Sequence, residues 1–253
     1  MLPIRDNVPT RTFPVVTVTL IAINVAVWLL YQLPNLDRSV HDLAFHPCEV
    51  NGSCQQIDKG WPLTAITSMF MHGGWLHLGG NMLFLWIFGN NVEDAMGRLR
   101  FLVFYFLGGI AATALQTFVT FHWGSPGDTI APNLGASGAI SAVLGAYLVL
   151  LPSASVLTLV FYLLIEIPAI LFLGIWFLFQ LWQGGYAVTH PESGGGVAFF
   201  AHVGGYGSPT AFVDGMNAAI LVGAGAVGIG ALAAFLIPGR RRAEQLVPAT
   251  EAA

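Results

Sequence analysis

Apolar runs long enough to cross a bilayer recur from Phe13 to Ile237. A helical crossing needs about 20 predominantly apolar residues. In hydrocarbon the backbone must satisfy its own hydrogen bonds, so only helices and closed barrels can span. The runs here are continuous and do not alternate, which excludes a transmembrane barrel. The expected fold class is therefore all-α, a polytopic transmembrane helical bundle. It divides into an N-terminal cytoplasmic tail over 1–12, one membrane domain over 13–237 and a C-terminal polar tail over 238–253. Only 9 % of the 253 residues are charged, against 55 % hydrophobic. The net charge of −4 offers no basic surface, so the lipid bilayer is an expected partner and nucleic acid is not.

The first run, Phe13 to Leu33, follows Arg5 and Arg11 and reads as an uncleaved span with its N-terminus inside. Cys48 and Cys54 then fall in an outside loop, Pro34 to Gly60, where a disulfide and two separate thiols are both compatible with the spacing. Pro62 sits where a first-turn proline would open a second span, Leu63 to Gly89, with an inside loop at Asn90 to Arg100. A third span covers Phe101 to Phe121 and a short fourth covers Asn133 to Leu151. Val156 to Ile165 is assigned to the inner interface, and a fifth span starts near Pro168, with Glu166 at a helix N-terminus. A sixth span begins near Val197. Met216 to Ile237 is apolar enough for a seventh, although the charge rule would keep Arg240, Arg241 and Arg242 inside and so favours six. The reading adopted is six core spans plus a seventh.

Within these spans three polar sites stand out. Gly135-Ala136-Ser137-Gly138 puts a hydroxyl at the head of the short fourth span. A helix that starts below the surface is tolerated where its unpaired amides line a cavity, and such amides suit an oxyanion. His77 and Asn81 lie one helical turn apart on one face of the second span. His202, in Ala201-His202-Val203-Gly204-Gly205, supplies an intramembrane base for Ser137. The plain structural alternative is interhelical hydrogen bonding for the polar groups and small-residue packing for the glycines. At about 1.5 Å rise per residue, Ser137 and His202 lie roughly 5 to 10 Å below the outer surface. His77 reaches that depth if its helix starts near Phe70.

Taken together, these residues resemble the rhomboid family of intramembrane serine proteases over roughly Trp61 to Gly205. The resemblance rests on Met71-His72-Gly73-Gly74-Trp75-Leu76-His77-Leu78-Gly79-Gly80-Asn81, on Phe88 to Gly97, on Gly135-Ala136-Ser137-Gly138, on Ile167-Pro168-Ala169 with Trp176 and Gln180, and on Ala201-His202. It implies a Ser137–His202 dyad with no acidic third member. It also implies an oxyanion held by the Ser137 amide, His77 and Asn81, with Gly135 in the nucleophile motif and His72 helping to order the site. Substrates would be transmembrane proteins cut in or near their spans, with no cofactor and no metal. The setting implied is a multi-pass protein of a bacterial plasma membrane, with the site opening to the outside.

The sequence departs from the family pattern at two places. Pro209 replaces a glycine expected after the base histidine, with Ser208 and Asp214 nearby, and Ser141 stands where an aromatic often packs on that histidine. These departures keep a second reading in view, an inactive relative that binds transmembrane clients. A transporter would need inverted repeats or paired broken helices, and no convincing repeat is found.

Overall fold

The computed structural model describes residues 2–54, 60–123, 126–176 and 178 of the chain. His202, Gln180, Pro209, Asp214 and the expected sixth and seventh spans lie outside these residues. The chain opens with a strand, β1 (Leu2–Asp6), ahead of the first helix, α1 (Val15–Val27). That helix passes through a π-helical turn at Trp28–Gln32 and a 3-10 turn at Leu33–Asn35 into α2 (Leu36–Leu43). The result is a 29-residue apolar helix over Val15–Leu43, ten residues longer at its end than the span ending at Leu33. In the loop beyond it, α3 (Cys48–Asn51) is closed by a Cys48–Cys54 disulfide with Cα atoms 5.1 Å apart.

The second span differs from expectation. Pro62 does open a helix, α4 (Trp61–Thr67), but that helix gives way to a 3-10 turn at Ser68–Phe70 and stops. A new helix, α5 (Trp75–Phe84), starts at Trp75, later than either Leu63 or Phe70, and continues through a π-helical turn at Leu85–Gly89 into α6 (Asn90–Met96). Two causes account for the break. Gly73 and Gly74 are poor helix formers. The backbone of His72 is also held by a side chain rather than by a helix: its N–H donates to Gln32 Oε1 at 2.8 Å, and its carbonyl accepts from Gln32 Nε2 at 3.0 Å.

The expected inside loop at Asn90 to Arg100 is likewise corrected, because α6 is helical and its acids are buried. Glu93 accepts from the backbone N–H of Val16 (3.0 Å) and of Thr17 (2.7 Å), and from the Thr17 hydroxyl (2.8 Å). Asp94 accepts from the N–H groups of Arg11 and Thr12, both at 3.1 Å. Glu93 thus caps α1 from another helix, supplying the acceptor that its own N-cap residue, Pro14, lacks, while Asp94 fastens the chain just ahead of it. Hydrogen bonds to a charged group contribute about 1.5–3 kcal/mol each, so Glu93→Ala is expected to cost about 2–4 kcal/mol. Thermal unfolding in detergent would show it as a clear drop in Tm, with Glu93→Gln intermediate. An unchanged Tm in Glu93→Ala would refute the cap.

Two further helices follow, α7 (Arg98–Trp123) and α8 (Ser137–Leu150). Most of α8 is buried, including Ala139, Ala142, Val143, Ala146 and Tyr147, which makes it the central helix. It packs closely on α7, since a methyl placed on Gly138 would lie 2.8 Å from the Ala112 side chain.

After α8 the chain is not helical, which corrects the all-α expectation to a mostly helical fold that includes a small sheet. β2 (Ser155–Val160) and β3 (Leu163–Pro168) form a hairpin, and β1 pairs with β2, giving the antiparallel order β1-β2-β3. The register runs from Leu2 opposite Leu159 to Asp6 opposite Val156. Glu166 therefore sits in a strand opposite Leu157 rather than at a helix N-terminus. The reason is local: two runs rich in Val, Ile and Leu are separated by Phe161 and Tyr162 alone, which is hairpin spacing. Asp6 is tied to the bundle by the Tyr147 hydroxyl, which donates to its carboxylate at 2.7 Å, and by the Asn91 amide. Burial pushes the Asp6 carboxyl up to about 6, and these two donors offset part of that penalty. Helix resumes at 169, directly after Pro168 and at the expected start of the fifth span.

Candidate active site

Ser137 is the first residue of α8. Its N-cap residue, Ala136, has helical backbone and no side-chain hydrogen bond to the helix start. The first amides of a helix have no intrahelical partner and carry the positive end of its dipole. At 14 residues α8 is about 21 Å long, shorter than a hydrocarbon core of about 30 Å, which fits a start below the surface.

The chain approaching Ser137 is held from two sides. Gly135 donates its N–H to the Ser68 carbonyl at 2.9 Å, and Asn133 exchanges two backbone hydrogen bonds with Phe45, at 3.0 and 2.7 Å. Phe45 lies in a firmly tied loop. The neighbouring His46 N–H donates to Glu49 Oε1 at 3.0 Å, and the Thr64 hydroxyl donates to Glu49 Oε2 at 2.6 Å. The long first loop therefore braces the turn that carries the nucleophile candidate.

Gly135 has φ +124°, a conformation that side chains rarely adopt. Its missing side chain also makes room for His77. A methyl at Gly135 would lie 2.7 Å from His77 Nε2 and 3.5 Å from Ser137 Oγ, so these two groups flank one small space. The protonation of His77 follows from its other nitrogen. The Gly73 N–H donates to His77 Nδ1 at 3.2 Å, so in the neutral ring Nε2 carries the proton and faces Gly135 as a donor. Asn81 lies one turn along the same face of α5. Its side-chain Nδ2 is buried and meets no acceptor among the described residues. A buried donor without an acceptor costs free energy unless something else fills the role.

The other sequence candidates fall around this corner. His72 is fully buried, and its ring stands edge-on to His77 with centroids 5.1 Å apart. The Ser141 hydroxyl donates to the Ser137 carbonyl at 2.8 Å, so it is engaged with its own helix. Sequence reasoning missed Gln32, which clasps the His72 backbone from the end of the first span. The available signal was a lone amide at the end of an apolar run. The structure thus brings Ser137, Gly135 and His77 together, with Asn81 and His72 on the flanks. Such an arrangement can hold a negative oxygen formed beside Ser137.

A family model described as the rhomboid domain matches residues 59–214. Over 186 residues the chain is 31 % identical to rhomboid protein 1, mitochondrial, of Saccharomyces cerevisiae, covering 74 % of this chain and 49 % of that protein. Over 140 residues it is 31 % identical to presenilin-associated rhomboid-like protein A, mitochondrial, of Danio rerio, covering 54 % and 33 %. Over 138 residues it is 33 % identical to the rhomboid relative YdcA of Bacillus subtilis, covering 54 % and 63 %. The chain therefore spans from a third to under two thirds of the length of these relatives.

Proposed function

The chain belongs to the rhomboid family, a family of integral membrane proteins, and from that premise we propose that it is an intramembrane serine endopeptidase. Its substrates are transmembrane proteins, cut in or near spans that contain helix-weakening residues, with a small residue before the cut. The observation that carries this reading is the Gly135 corner, where His77 Nε2–H and Ser137 Oγ flank one small space.

In the proposed reaction His202 takes the proton of Ser137 as the hydroxyl attacks the scissile carbonyl. The tetrahedral oxygen is held by the Ser137 amide, His77 Nε2–H and Asn81 Nδ2–H. His202 returns the proton to the leaving amine, and water then releases the acyl group from Ser137 by the same route in reverse. Gly135 and His72 position these groups. No metal or cofactor takes part. We place the Ser137 end on the outer face of its membrane, on the strength of the arginines around the first and third spans.

A fluorophosphonate probe tests the nucleophile. Wild type is expected to be labelled at Ser137, Ser137→Ala not at all, and His202→Ala far more slowly. A wild type that holds a transmembrane client yet neither takes the probe nor cuts would replace this reading with a client-binding relative, as Pro209 and Asp214 beyond His202 first suggested.

A further inference from the structure

The hairpin that follows α8 ends in an apolar tip that nothing among the described residues covers. Phe161 is 93 % exposed and Tyr162 86 %, and Leu163, Leu164 and Ile165 are exposed behind them. Successive residues of a strand face opposite sides, so Leu163 and Ile165 cover one face of β3 and Leu164 the other. Both faces are apolar, whereas a hairpin standing in water keeps one of them polar. The exposure divides by strand: on β2 Val156 and Thr158 are fully buried, whereas the uncovered apolar side chains lie in the turn and on β3. No charged residue occurs from Ser155 to Ile165, and the hairpin's one carboxylate, Glu166, lies at the base.

We propose that this tip is seated in the leaflet on the side of the membrane away from Ser137, with lipid as its partner. The hairpin emerges from the end of α8 opposite Ser137. It leads without a break into the helix resuming at 169, whose Ile170, Leu171 and Ile175 are exposed among the described residues, as the lipid-facing side chains of an integral membrane protein are. The apolar tip therefore continues a surface that already meets acyl chains. Tyr162 is of the residue type that settles at the boundary of headgroups and hydrocarbon, where its ring is buried and its hydroxyl stays wet, and Phe161 beside it adds a wholly apolar ring. The free edge of β3 limits the depth, because unpaired backbone groups cannot enter the hydrocarbon interior. The tip lies at the boundary, and Arg5, exposed on β1 across the sheet, faces the phosphates. This placement holds whether or not Ser137 cuts peptide bonds.

The test is site-directed spin labelling in liposomes of mixed neutral and anionic phospholipid. Cys48 and Cys54 are tied to each other, so a nitroxide goes only to the new thiol of Tyr162→Cys. Ile170→Cys serves as the lipid-facing reference and free label in buffer as the aqueous one. Both positions are exposed, and an unchanged Tm confirms that the labelled proteins fold. The label at 162 is expected to collide with oxygen as often as the label at 170, and several-fold less than free label with a water-soluble nickel chelate. Collisions with the chelate as frequent as for free label would overturn the proposal and leave the tip for a soluble protein partner. Shielding from both reagents would overturn it too, since the tip would then be covered by protein.

Discussion

Ser137→Ala is expected to leave a model transmembrane substrate uncut in proteoliposomes, and His202→Ala to lower its cleavage by at least about 10³-fold. The size follows from how the pair works. Serine is a poor nucleophile at its own pKa, so without a base the hydroxyl hardly attacks, and without the hydroxyl no acyl-enzyme forms. The proposed dyad has no acidic third member, so the retained catalysis would come from the donors and from substrate binding alone. Substrate capture should therefore survive in both variants while turnover vanishes. The outcome that sinks the reading is cleavage by Ser137→Ala at anything near the wild-type rate.

Gly135→Ala should be nearly as damaging, although it removes no chemical group. The new methyl meets His77 Nε2 at 2.7 Å, closer than real contacts of that kind, and the backbone there has φ +124°. Either the ring turns away or the loop relaxes toward a negative φ, and both moves spoil the donor set beside Ser137. Losing one oxyanion donor costs about 2.7–4 kcal/mol, so turnover should fall by about 10²–10³-fold with KM little changed. The Ser68 carbonyl would still fasten the loop, so Tm should move only slightly. Gly79→Ala makes a fair control, because a methyl at Gly79 meets nothing within 4 Å and the position is helical. Equal turnover in the Gly135→Ala and Gly79→Ala proteins would show that His77 does not act at this corner.

Which parts of this were legible in sequence depends on what kind of force shaped them. His77 and Asn81 could be paired from their spacing alone, because an α-helix puts i and i+4 on one face, and the structure keeps them on α5. Pro168 marked the return to helix correctly for a similarly local reason. Long-range partners hid the rest. Glu93 and Asp94 look like loop charges until the unpaired amides of α1 and of the chain just before it are seen to need them. The helix break before Trp75 depends on Gln32, a single amide forty residues away. The hairpin is hidden for another cause: hydropathy places Val156 to Ile165 at the inner interface but does not say that the run folds back on itself and pairs with β1. Spacing could not decide whether Cys48 and Cys54 pair, which is a matter of how the loop folds.

The pairing of β1 with β2 also carries a rule of parity. Two strands can share hydrogen bonds only on one side of a bilayer, so the chain between Asp6 and Ser155 must cross an even number of times. If the α1–α2 helix, the α5–α6 helix, α7 and α8 each cross once, they make four passages, and the count closes. An insertion error that dropped or added one passage would strand β1 across the membrane from its partner. The seam would then stay open, with Asp6 severed from Tyr147. A few residues of sheet thus serve as the chain's own check that its topology is right.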